Sequence, residues 1–473
     1  MHLKVRILFA LIILLPIHKA SALDSEETSI RYENNNYNIQ EILSKYIQIE
    51  SLSGNEFEAG EFLKKICVEN GLIVTSMGEE NGNYNFAASI RPLQDKLPNI
   101  IFLNHIDIVP AGNIDKWEFP PFSGAITESE IWGRGAYDNK GVAIMQLFSI
   151  IEIAKRYSKK SMSYNVTFLP VSCEETQCEG GIKYVIDNYL DILNPEVVIG
   201  EGAPAIKGLL KKKPDLALFG ISVAQKRALW IQLKLELKTS GHSSVTPLAY
   251  AHKEMVLSLN NLLKKKPKMT YNQLNVNLLK QLGQLNKGLT GFVLKHPKLF
   301  KPIIIPKLRQ EPVLMALFSN TITLTSLNDG NKKFNVIPEN VTAILDCRLL
   351  PEASTATFLT YVKKALNNSM IEIKIIKETP HVKETPINSI HFNNLNTAIQ
   401  QNYAGSKTAP ILLPNINDTS YFRKVGVTSF SVVPVQLDRK YLESIHNYNE
   451  RIPKDILEKG KDTYLRFIEL SLN

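Results

Sequence analysis

Apolar runs separated by helix-like segments predict the first structural unit of the chain. The segments NIIFLNHIDIV (99–109) and YNVTFLPVS (164–172) are almost continuously apolar, which is typical of strands buried on both faces of a sheet. Between them, KGVAIMQLFSIIEIAKRYS (140–158) has apolar residues at helical spacing. The helix-like GGIKYVIDNYLDIL (180–193) and the strand-like EVVIGEG (196–202) follow. This order indicates an α/β unit with a mostly parallel sheet flanked by helices.

Two helices are predicted before this unit. IQEILSKYIQIES (39–51) is amphipathic, and SGNEFEAGEFLKKICVENG (53–71) offers N-cap candidates at 53–55 and a C-cap at Gly71. Residues 23–37 are polar and rich in asparagine, so we expect a flexible leader there.

The pattern changes from about Ala224. LWIQLKLELKTSG (229–241) alternates apolar and polar residues, as a half-solvated antiparallel strand does. NVTAILDCRLL (340–350) and IEIKIIKET (371–379) show the same alternation, with a helix-like segment between them. Buried character returns near residue 390.

The chain of 473 residues exceeds the roughly 250–300 residues that one hydrophobic core supports. We therefore expect two domains. The simplest arrangement is one discontinuous α/β domain, made of residues 38–223 and 386–473, interrupted by an inserted α+β domain over residues 224–385.

The first residues have the pattern of a secretory signal. Lys4 and Arg6 precede an apolar run (7–17), and Ala-Ser-Ala follows at 20–22 as a cleavage pattern. We expect a signal peptide over residues 1–22 and an exported chain, periplasmic or secreted. The apolar run is shorter than the ~20 residues of a spanning helix, so retention as an anchor is the weaker interpretation. No later stretch is apolar enough to span a membrane.

Charge and cysteine content exclude some classes of function. Loss of the signal peptide would remove three cations and change the formal charge from +9 to 9 − 3 = +6. Much of the excess lies at 211–213 and 264–266, which we interpret as solvated faces, and no exposed-aromatic pattern or known motif indicates a nucleic-acid partner. The four cysteines are too few for a disulfide scaffold, although one bridge, such as Cys173–Cys178, stays open.

Polar side chains at the ends of the predicted strands carry the candidate chemistry. His105 and Asp107 lie two positions apart on one face of a strand. Others follow strands or lie in a Gly-rich turn before the long helix: Asp138, Glu174, Glu175, Glu201 and His446. Open α/β sheets bind ligands at this rim. So many carboxylates at one edge would repel each other unless cations lay among them. We therefore predict two divalent metal ions at this edge.

Zinc is the expected metal because it accepts histidine nitrogen and carboxylate oxygen. Two ions need a bridging carboxylate, and Asp138 is the natural candidate. His105 and Glu201 would complete one site, and Glu175 with His446 the other.

Two further residues are predicted to act beside the metals. Asp107 can accept the second ring N–H of His105 and fix its tautomer. Glu174 is adjacent to a ligand, which suits a general base for the attacking water. Each part alone has an ordinary alternative, since a buried histidine is more often a core residue and an aspartate in a Gly-rich loop often caps a helix. Their joint occurrence at strand ends favours the metal interpretation.

Several ordered motifs resemble the co-catalytic zinc peptidase family of aminoacylase, carboxypeptidase S, succinyl-diaminopimelate desuccinylase and glutamate carboxypeptidase. They are HIDIVPAG, IWGRGAYDNKG, CEET, GEG, TSGHSSVTP and IHNYNERIP. The resemblance runs from about residue 40 to the C-terminus. The metal ligands that this resemblance implies fall on the same five positions: His105, Asp138, Glu175, Glu201 and His446.

The resemblance also implies that the α/β domain is catalytic and that the insert is a lid, which often forms a homodimer. It implies that His242 stabilises the oxyanion, that Asn335 and Arg348 bind the substrate carboxylate, and that Asp418 lies in the pocket. From the residues alone, His242 is an exposed loop residue, and Arg348 pairs with Asp346 on a strand.

The long segment between His242 and Asn335 is most similar to the carboxypeptidase S and N-acyl-amino-acid hydrolase branch. Asn447 replaces the usual glycine after the last histidine, and Cys173 replaces an aspartate, which affects the expected pocket shape. We expect a metallohydrolase with two Zn²⁺ ions, or Co²⁺ or Mn²⁺ as substitutes, that cleaves a peptide or N-acyl amino acid next to a free carboxylate. The alternatives are a dipeptidase or deacetylase of the same family and a catalytically silent relative.

Overall fold

The computed structural model describes residues 28–78, 83–157, 162–207, 216–330 and 334–473. The expected signal peptide (1–22) and one of the two basic runs (211–213) lie outside the described residues. Over the ranges just given, no helix combines the length and the apolar character needed to cross a bilayer.

The elements occur in three stretches of the chain. The first stretch contains β1 (Ile30–Tyr32), β2 (Asn35–Tyr37), α1 (Ile39–Ile47), α2 (Phe57–Glu69), β3 (Ile73–Ser76), β4 (Phe86–Ser89), β5 (Asn99–His105), β6 (Glu130–Trp132), α3 (Lys140–Arg156), β7 (Asn165–Val171), α4 (Ile182–Leu193), β8 (Pro195–Gly200) and β9 (Ala205–Ile206). The second contains β10 (Leu218–Gln225), β11 (Arg227–Glu236), β12 (Gly241–His242), α5 (Ala251–Leu263), α6 (Gln273–Leu285), α7 (Gly288–Lys295), α8 (Lys301–Leu308), α9 (Pro312–Phe318), β13 (Thr321–Asn328), β14 (Val336–Ile337), β15 (Asn340–Leu349), α10 (Thr355–Leu366) and β16 (Glu372–Glu378). The third contains α11 (Ile390–Asn402), β17 (Lys407–Leu413), α12 (Thr419–Lys424), β18 (Thr428–Ser431), β19 (Gln436–Leu437), α13 (Arg439–Leu442), β20 (Arg451–Pro453) and α14 (Asp455–Leu472).

The larger sheet has eight strands in the order β17-β10-β18-β8-β5-β7-β4-β3. The pairs β17–β10, β18–β8, β8–β5 and β5–β7 are parallel. The other three neighbouring pairs are antiparallel. The predicted α/β class with a mostly parallel, helix-flanked sheet is confirmed.

Alternate residues of β5 pack into two apolar clusters on opposite faces of this sheet. Ile100 and Phe102 join the cluster that contains α1, α3, α11 and α14, whereas Ile101 and Leu103 join the one that contains α4 and α12. All seven residues of β5 are buried, as the continuous apolar run predicted. Because β5 is covered on both faces, its carboxyl end is the part that can contact a ligand.

The smaller sheet is antiparallel, with four strands in the order β13-β15-β11-β16. In β11, Leu229, Ile231, Leu233 and Leu235 are buried against a cluster that includes residues of α5 and α10. Lys234 on the other face is exposed. The predicted alternation between one buried and one open face is thus present in this sheet.

The helices α6 to α9 lie between the strands of the smaller sheet in sequence, but they pack on the larger one. Leu278, Leu279, Ile304 and Leu308 are buried together with residues of β17 such as Ile411. These helices therefore cover the end of the larger sheet where β17 would otherwise be an open edge.

Two local expectations were wrong. Residues 30–37, which we expected within a flexible leader, form an antiparallel hairpin of β1 and β2. The hairpin is ordered because Ile30 is fully buried and the Tyr32 ring packs 4.9 Å from that of Phe62. The N-cap of α2 is Glu56 rather than a residue at 53–55.

Candidate active site

The carboxyl ends of three parallel strands bring the predicted residues to one edge of the larger sheet. His105 is the last residue of β5, and Glu201 directly follows β8. Glu174 and Glu175 follow β7 after two residues. The chain places β7 on one side of β5 and β8 on the other, so this edge is the point where strand order reverses and ligands bind in open α/β sheets.

Two groups of potential metal ligands share the carboxylate of Asp138. His105 Nε2 lies 3.2 Å from Asp138 Oδ1 and 3.2 Å from Glu201 Oε2. His446 Nε2 lies 3.2 Å from Asp138 Oδ2 and 3.0 Å from Glu175 Oε1. In each group the ligand atoms lie within 4.8 Å of one another. The structure thus brings together the five residues in the two groups that the sequence predicted.

The donor atoms of both groups fit a divalent ion such as zinc. Each group offers one imidazole nitrogen and two carboxylate oxygens, which zinc accepts. Hydrogen bonds to Asp138 and Glu175 raise the pKa of His446 to about 10. Although burial alone would raise the pKa of Asp138, the two neighbouring imidazoles lower it. The carboxylate of Asp138 is therefore arranged to remain charged next to a cationic partner.

Asp107 contacts His105 through two oxygens. His105 Nδ1 lies 2.8 Å from the backbone oxygen of Asp107 and 3.4 Å from its carboxylate, so the backbone oxygen is the nearer partner. The carboxylate also accepts the backbone N–H groups of Glu174 (3.0 Å) and Glu175 (3.1 Å) and the hydroxyl of Ser53 (2.6 Å). Asp107 therefore fixes the histidine through its backbone and the Glu-Glu turn through its side chain.

Glu174 and Asp418 line a small cavity beside His105 and Glu201. Its volume is about 10 Å³, which holds roughly one water molecule. Burial raises the pKa of Glu174 well above its usual range, and the carboxylates of Glu201 and Asp418 raise it further. The pKa of Asp418 is also raised by burial. Within the described chain, Asp418 Oδ2 has no hydrogen-bond partner.

Glu450 is a site residue that sequence reasoning missed. Its buried carboxylate accepts hydrogen bonds from Arg134 Nη1 (2.7 Å) and from the backbone N–H groups of Gly135, Tyr137 and Asp138 (3.1 Å each). These contacts fix the Gly-rich turn that carries Asp138. The one signal in the sequence was that Glu450 lies four residues after His446. It did not reveal the role of Glu450, because the groups that bind its carboxylate are more than 300 residues away in sequence.

Two asparagines that we also missed orient Glu201. Asn139 Nδ2 donates to Glu201 Oε2 at 2.7 Å, and Asn417 Nδ2 donates to its backbone oxygen at 2.9 Å. The peptide bond between Asp138 and Asn139 is cis. Both asparagines adjoin predicted site residues, and that adjacency was the available signal.

A disulfide closes the turn that carries the two glutamates. Cys173 and Cys178 are bonded, which resolves the question that the sequence left open. The backbone N–H of Cys173 also donates to Glu56 Oε1 at 3.1 Å, and burial raises the pKa of Glu56 to about 7. Glu174 and Glu175 therefore lie in a turn that is held at several points.

Three of the residues to which the resemblance gave a role toward the substrate, His242, Asn335 and Arg348, lie on or beside β12, β14 and β15. His242 and Asn335 meet where β12 pairs with β14, with Asn335 Nδ2 3.4 Å from His242 Nε2. His242 is exposed. On β15, Arg348 forms a two-pronged pair with Asp346, at 2.8 and 2.9 Å. The pair with Asp346, which the residues alone suggested, is thus present in the structure. The binding of a substrate carboxylate by Arg348 stays a prediction.

Comparisons with known proteins agree with the resemblance. The family model described as "Peptidase family M20/M25/M40" matches residues 101–470. The chain is 28% identical to a probable carboxypeptidase S-like 2 of Dictyostelium discoideum over 82% of this chain and 74% of that relative. It is 25% identical to the N-fatty-acyl-amino acid synthase/hydrolase PM20D1 of Xenopus tropicalis over 88% of this chain and 80% of the relative. The fold matches an M20 family metallo-carboxypeptidase, Sso-CP2, from Sulfolobus solfataricus with a TM-score of 0.66 and 21% identity, covering 91% of this chain and 98% of that one.

Proposed function

The chain belongs to peptidase family M20/M25/M40, and we propose that it is a two-metal hydrolase that cleaves a peptide or N-acyl amide bond next to a free carboxylate. The observation that carries this proposal is the pair of ligand groups that share Asp138. One group would hold the first ion through His105 and Glu201, and the other would hold the second through Glu175 and His446. Zinc is the proposed metal, with Co²⁺ or Mn²⁺ as substitutes.

When bound, the two ions would supply Lewis-acid activation of water and of the substrate carbonyl. The protein supplies the proton transfer. We assign this step to Glu174, which is buried beside the ligands and whose backbone is fixed by Asp107. Its carboxylate takes a proton from the attacking water and then gives it to the nitrogen of the leaving amine. The burial of Glu174 beside the ligands supports this role, because a carboxyl group shielded from water can act both as a base and as an acid.

The inserted stretch would recognise the substrate. His242 and Asn335 form an exposed pair of hydrogen-bonding groups, which supports a contact with the carbonyl oxygen and the carboxylate of a substrate. Arg348 would bind the same carboxylate if its guanidinium turned away from Asp346, since its planar fork suits that group. A homodimer through this stretch would bring a second copy of these residues near the site.

The substrate class follows from the relatives. One is named a probable carboxypeptidase S-like protein and another an N-fatty-acyl-amino acid synthase/hydrolase. The last residue of a peptide and an N-acyl amino acid share the same chemistry, since each has an acylated nitrogen and a free carboxylate. We therefore propose a carboxypeptidase or N-acyl-amino-acid hydrolase. A dipeptidase or deacetylase with the same metal groups is the second candidate, and a screen of dipeptides against N-acyl amino acids of varied chain length separates them. A silent relative is disfavoured because all five ligands are present.

We also propose that the enzyme works outside the cytoplasm, in a periplasm or after secretion. The signal-like pattern over residues 1–22 supports export, and the disulfide between Cys173 and Cys178 is typical of an oxidising compartment.

Replacement of Glu174 tests the mechanism. Glu174→Gln should reduce kcat by more than about 10³-fold with zinc content unchanged, because the proton carrier is lost while the ligands remain. Zinc per chain is measured on the purified variant together with hydrolysis rates. Glu179→Gln is the matched control, since this exposed residue just after the same turn pairs with Lys183 on the surface. Activity of the Glu174 variant close to that of the control would overturn the proposal.

A further inference from the structure

The helices that cover the end of the larger sheet have an extreme charge pattern. Residues 264–309 contain eleven lysines and arginines and no aspartate or glutamate. All eleven are exposed. The next residue of opposite charge, Glu311, lies 3.4 Å from Arg439. This part of the molecule therefore presents positive charge that the helices themselves do not neutralise.

Large apolar side chains are exposed among these cations. Leu289 and Phe292 of α7 are 78% and 52% exposed, Leu299 in the following turn is 73% exposed, and Ile303 of α8 is 51% exposed. The Phe292 ring packs against Phe300 at 5.7 Å, which joins α7 to the start of α8. These side chains thus belong to one surface, which we call the basic apolar surface (residues 287–309).

The exposed apolar residues do not serve the core. Other side chains of the same helices, Ile304 and Leu308, already fill the contact with the larger sheet. Val293 and Leu294 are partly buried against the same cluster. Each helix therefore has an inner apolar side that packs on the protein and an outer one that contacts solvent. An outer apolar side in the midst of lysines is typical of a surface that binds a lipid interface.

The helices that carry this surface contact two segments that precede or follow candidate site residues. Ala203, two residues after Glu201, packs against the same apolar cluster as α6 and α8. The ion pair between Glu311 and Arg439 connects the end of the helical segment to α13, which shortly precedes His446.

We propose that the basic apolar surface binds the face of an anionic lipid membrane. The lysines attract the negatively charged headgroups, and the exposed leucines, Phe292 and Ile303 insert between them. A nucleic acid is less suitable, because the exposed apolar groups are mainly aliphatic and offer little for bases to stack on. This binding does not depend on the proposed hydrolase activity, although it would place the enzyme near acyl substrates that partition into membranes.

Sedimentation with vesicles tests the proposal. The purified full chain should bind phosphatidylglycerol-containing vesicles, bind neutral phosphatidylcholine vesicles much more weakly, and be released by high salt. Lys287→Glu/Lys298→Glu should weaken binding to the anionic vesicles by at least about tenfold. Leu289→Ser/Leu299→Ser should weaken it as well. Lys363→Glu/Lys364→Glu on α10 makes the same change of charge at exposed positions elsewhere and should leave binding unchanged.

Several results would overturn the proposal. One is failure of the wild-type chain to sediment with anionic vesicles, and another is equal binding by the surface and control variants. A lower oligomeric mass of the Leu289/Leu299 variant with unchanged vesicle binding would show that a second copy covers this surface. Retention on duplex DNA without vesicle binding would assign it to nucleic acid. Hydrolysis of a water-soluble substrate by each variant, measured in parallel, keeps these outcomes separate from failure of the proposed function.

Discussion

At the scale of single residues, the position of Asp138 depends on a carboxylate that touches no substrate. Glu450 accepts four hydrogen bonds from the turn before α3, and neither it nor Arg134 is exposed to water. Removal of one member of a buried ion pair leaves the other charge uncompensated, which typically costs about 3–5 kcal/mol.

We therefore predict that Glu450→Gln lowers the free energy of unfolding by about 3 kcal/mol and reduces zinc binding. The amide would present its NH₂ group to donors that require an acceptor. Urea unfolding and zinc titration measure the two effects. Glu443→Gln, an exposed position in the same segment, is the control, and a Glu450 variant that matches it would contradict the structural role.

The sequence was enough to single out the candidate metal ligands, but not the residues that fix these ligands in position. His105 and Glu201 each lie at a strand end, where a polar residue interrupts an apolar run and is visible in one sequence. Glu450 and Asn139 are recognised only through partners, and Arg134 is 316 residues from Glu450. The assignment of the metal ligands themselves stays a prediction until the metal content is measured.

At the scale of elements, the chain passes from the larger sheet to the smaller one at a buried lysine. Lys226 lies between β10 and β11, is 1% exposed, and donates from Nζ to the hydroxyl of Thr321 at 3.0 Å. Burial and, to a smaller extent, the nearby Arg348 lower the pKa of Lys226 to about 7, against the opposite effect of Asp346. The junction between the sheets therefore contains a cation that is poorly compensated.

This arrangement predicts a rise in stability with pH. The folded-state pKa of Lys226 is about 7 and the ordinary value is 10.5, so between these values the unfolded chain binds more protons than the folded chain. Stability contributed by this group should increase by about 2 kcal/mol from pH 7 to pH 9. Urea unfolding at the two pH values measures it.

Lys226→Met provides the comparison for that measurement. Methionine has a similar length and no charge, so the variant should lack this part of the pH dependence. Lys234→Met, at an exposed position on β11, should keep it. An equal slope in all three proteins would show that Lys226 is not the group responsible.

Strands could be predicted where buried side chains follow a regular pattern along the chain. The continuous run of β5 and the alternation of β11 gave the correct strand types, because each reflects how many faces of the sheet are covered. The packing of α6 to α9 on β17 was not predictable. An amphipathic helix shows which side is buried but not against which sheet, and the connection between these elements is not local in sequence.

At the scale of the whole molecule, the two candidate ligand groups connect distant parts of the chain. His105 and His446 contact the two oxygens of the Asp138 carboxylate, and Glu201 and Glu175 bring two more carboxyl groups to the same place. Without cations these carboxylates repel each other, so bound metal should stabilise the fold as a whole.

We predict that a chelator lowers the Tm of the chain and that added zinc restores it. Metal at about 1,000 times its Kd contributes about 4 kcal/mol to the folded state. Differential scanning calorimetry measures the shift. Asp138→Asn, which alters a ligand common to both groups, should have a Tm that hardly responds to the chelator. A wild-type Tm that is equally insensitive would contradict the two-metal proposal.

The contact between Arg134 and Glu450 also has a consequence for synthesis. The turn at Asp138 leaves the ribosome more than 300 residues before the glutamate that fixes it. A nascent chain therefore carries His105, Asp138 and Glu201 for most of translation without His446 or their anchor. Catalytic competence arises only when the last part of the polypeptide has emerged, so the growing chain cannot hydrolyse its surroundings while it is still being made.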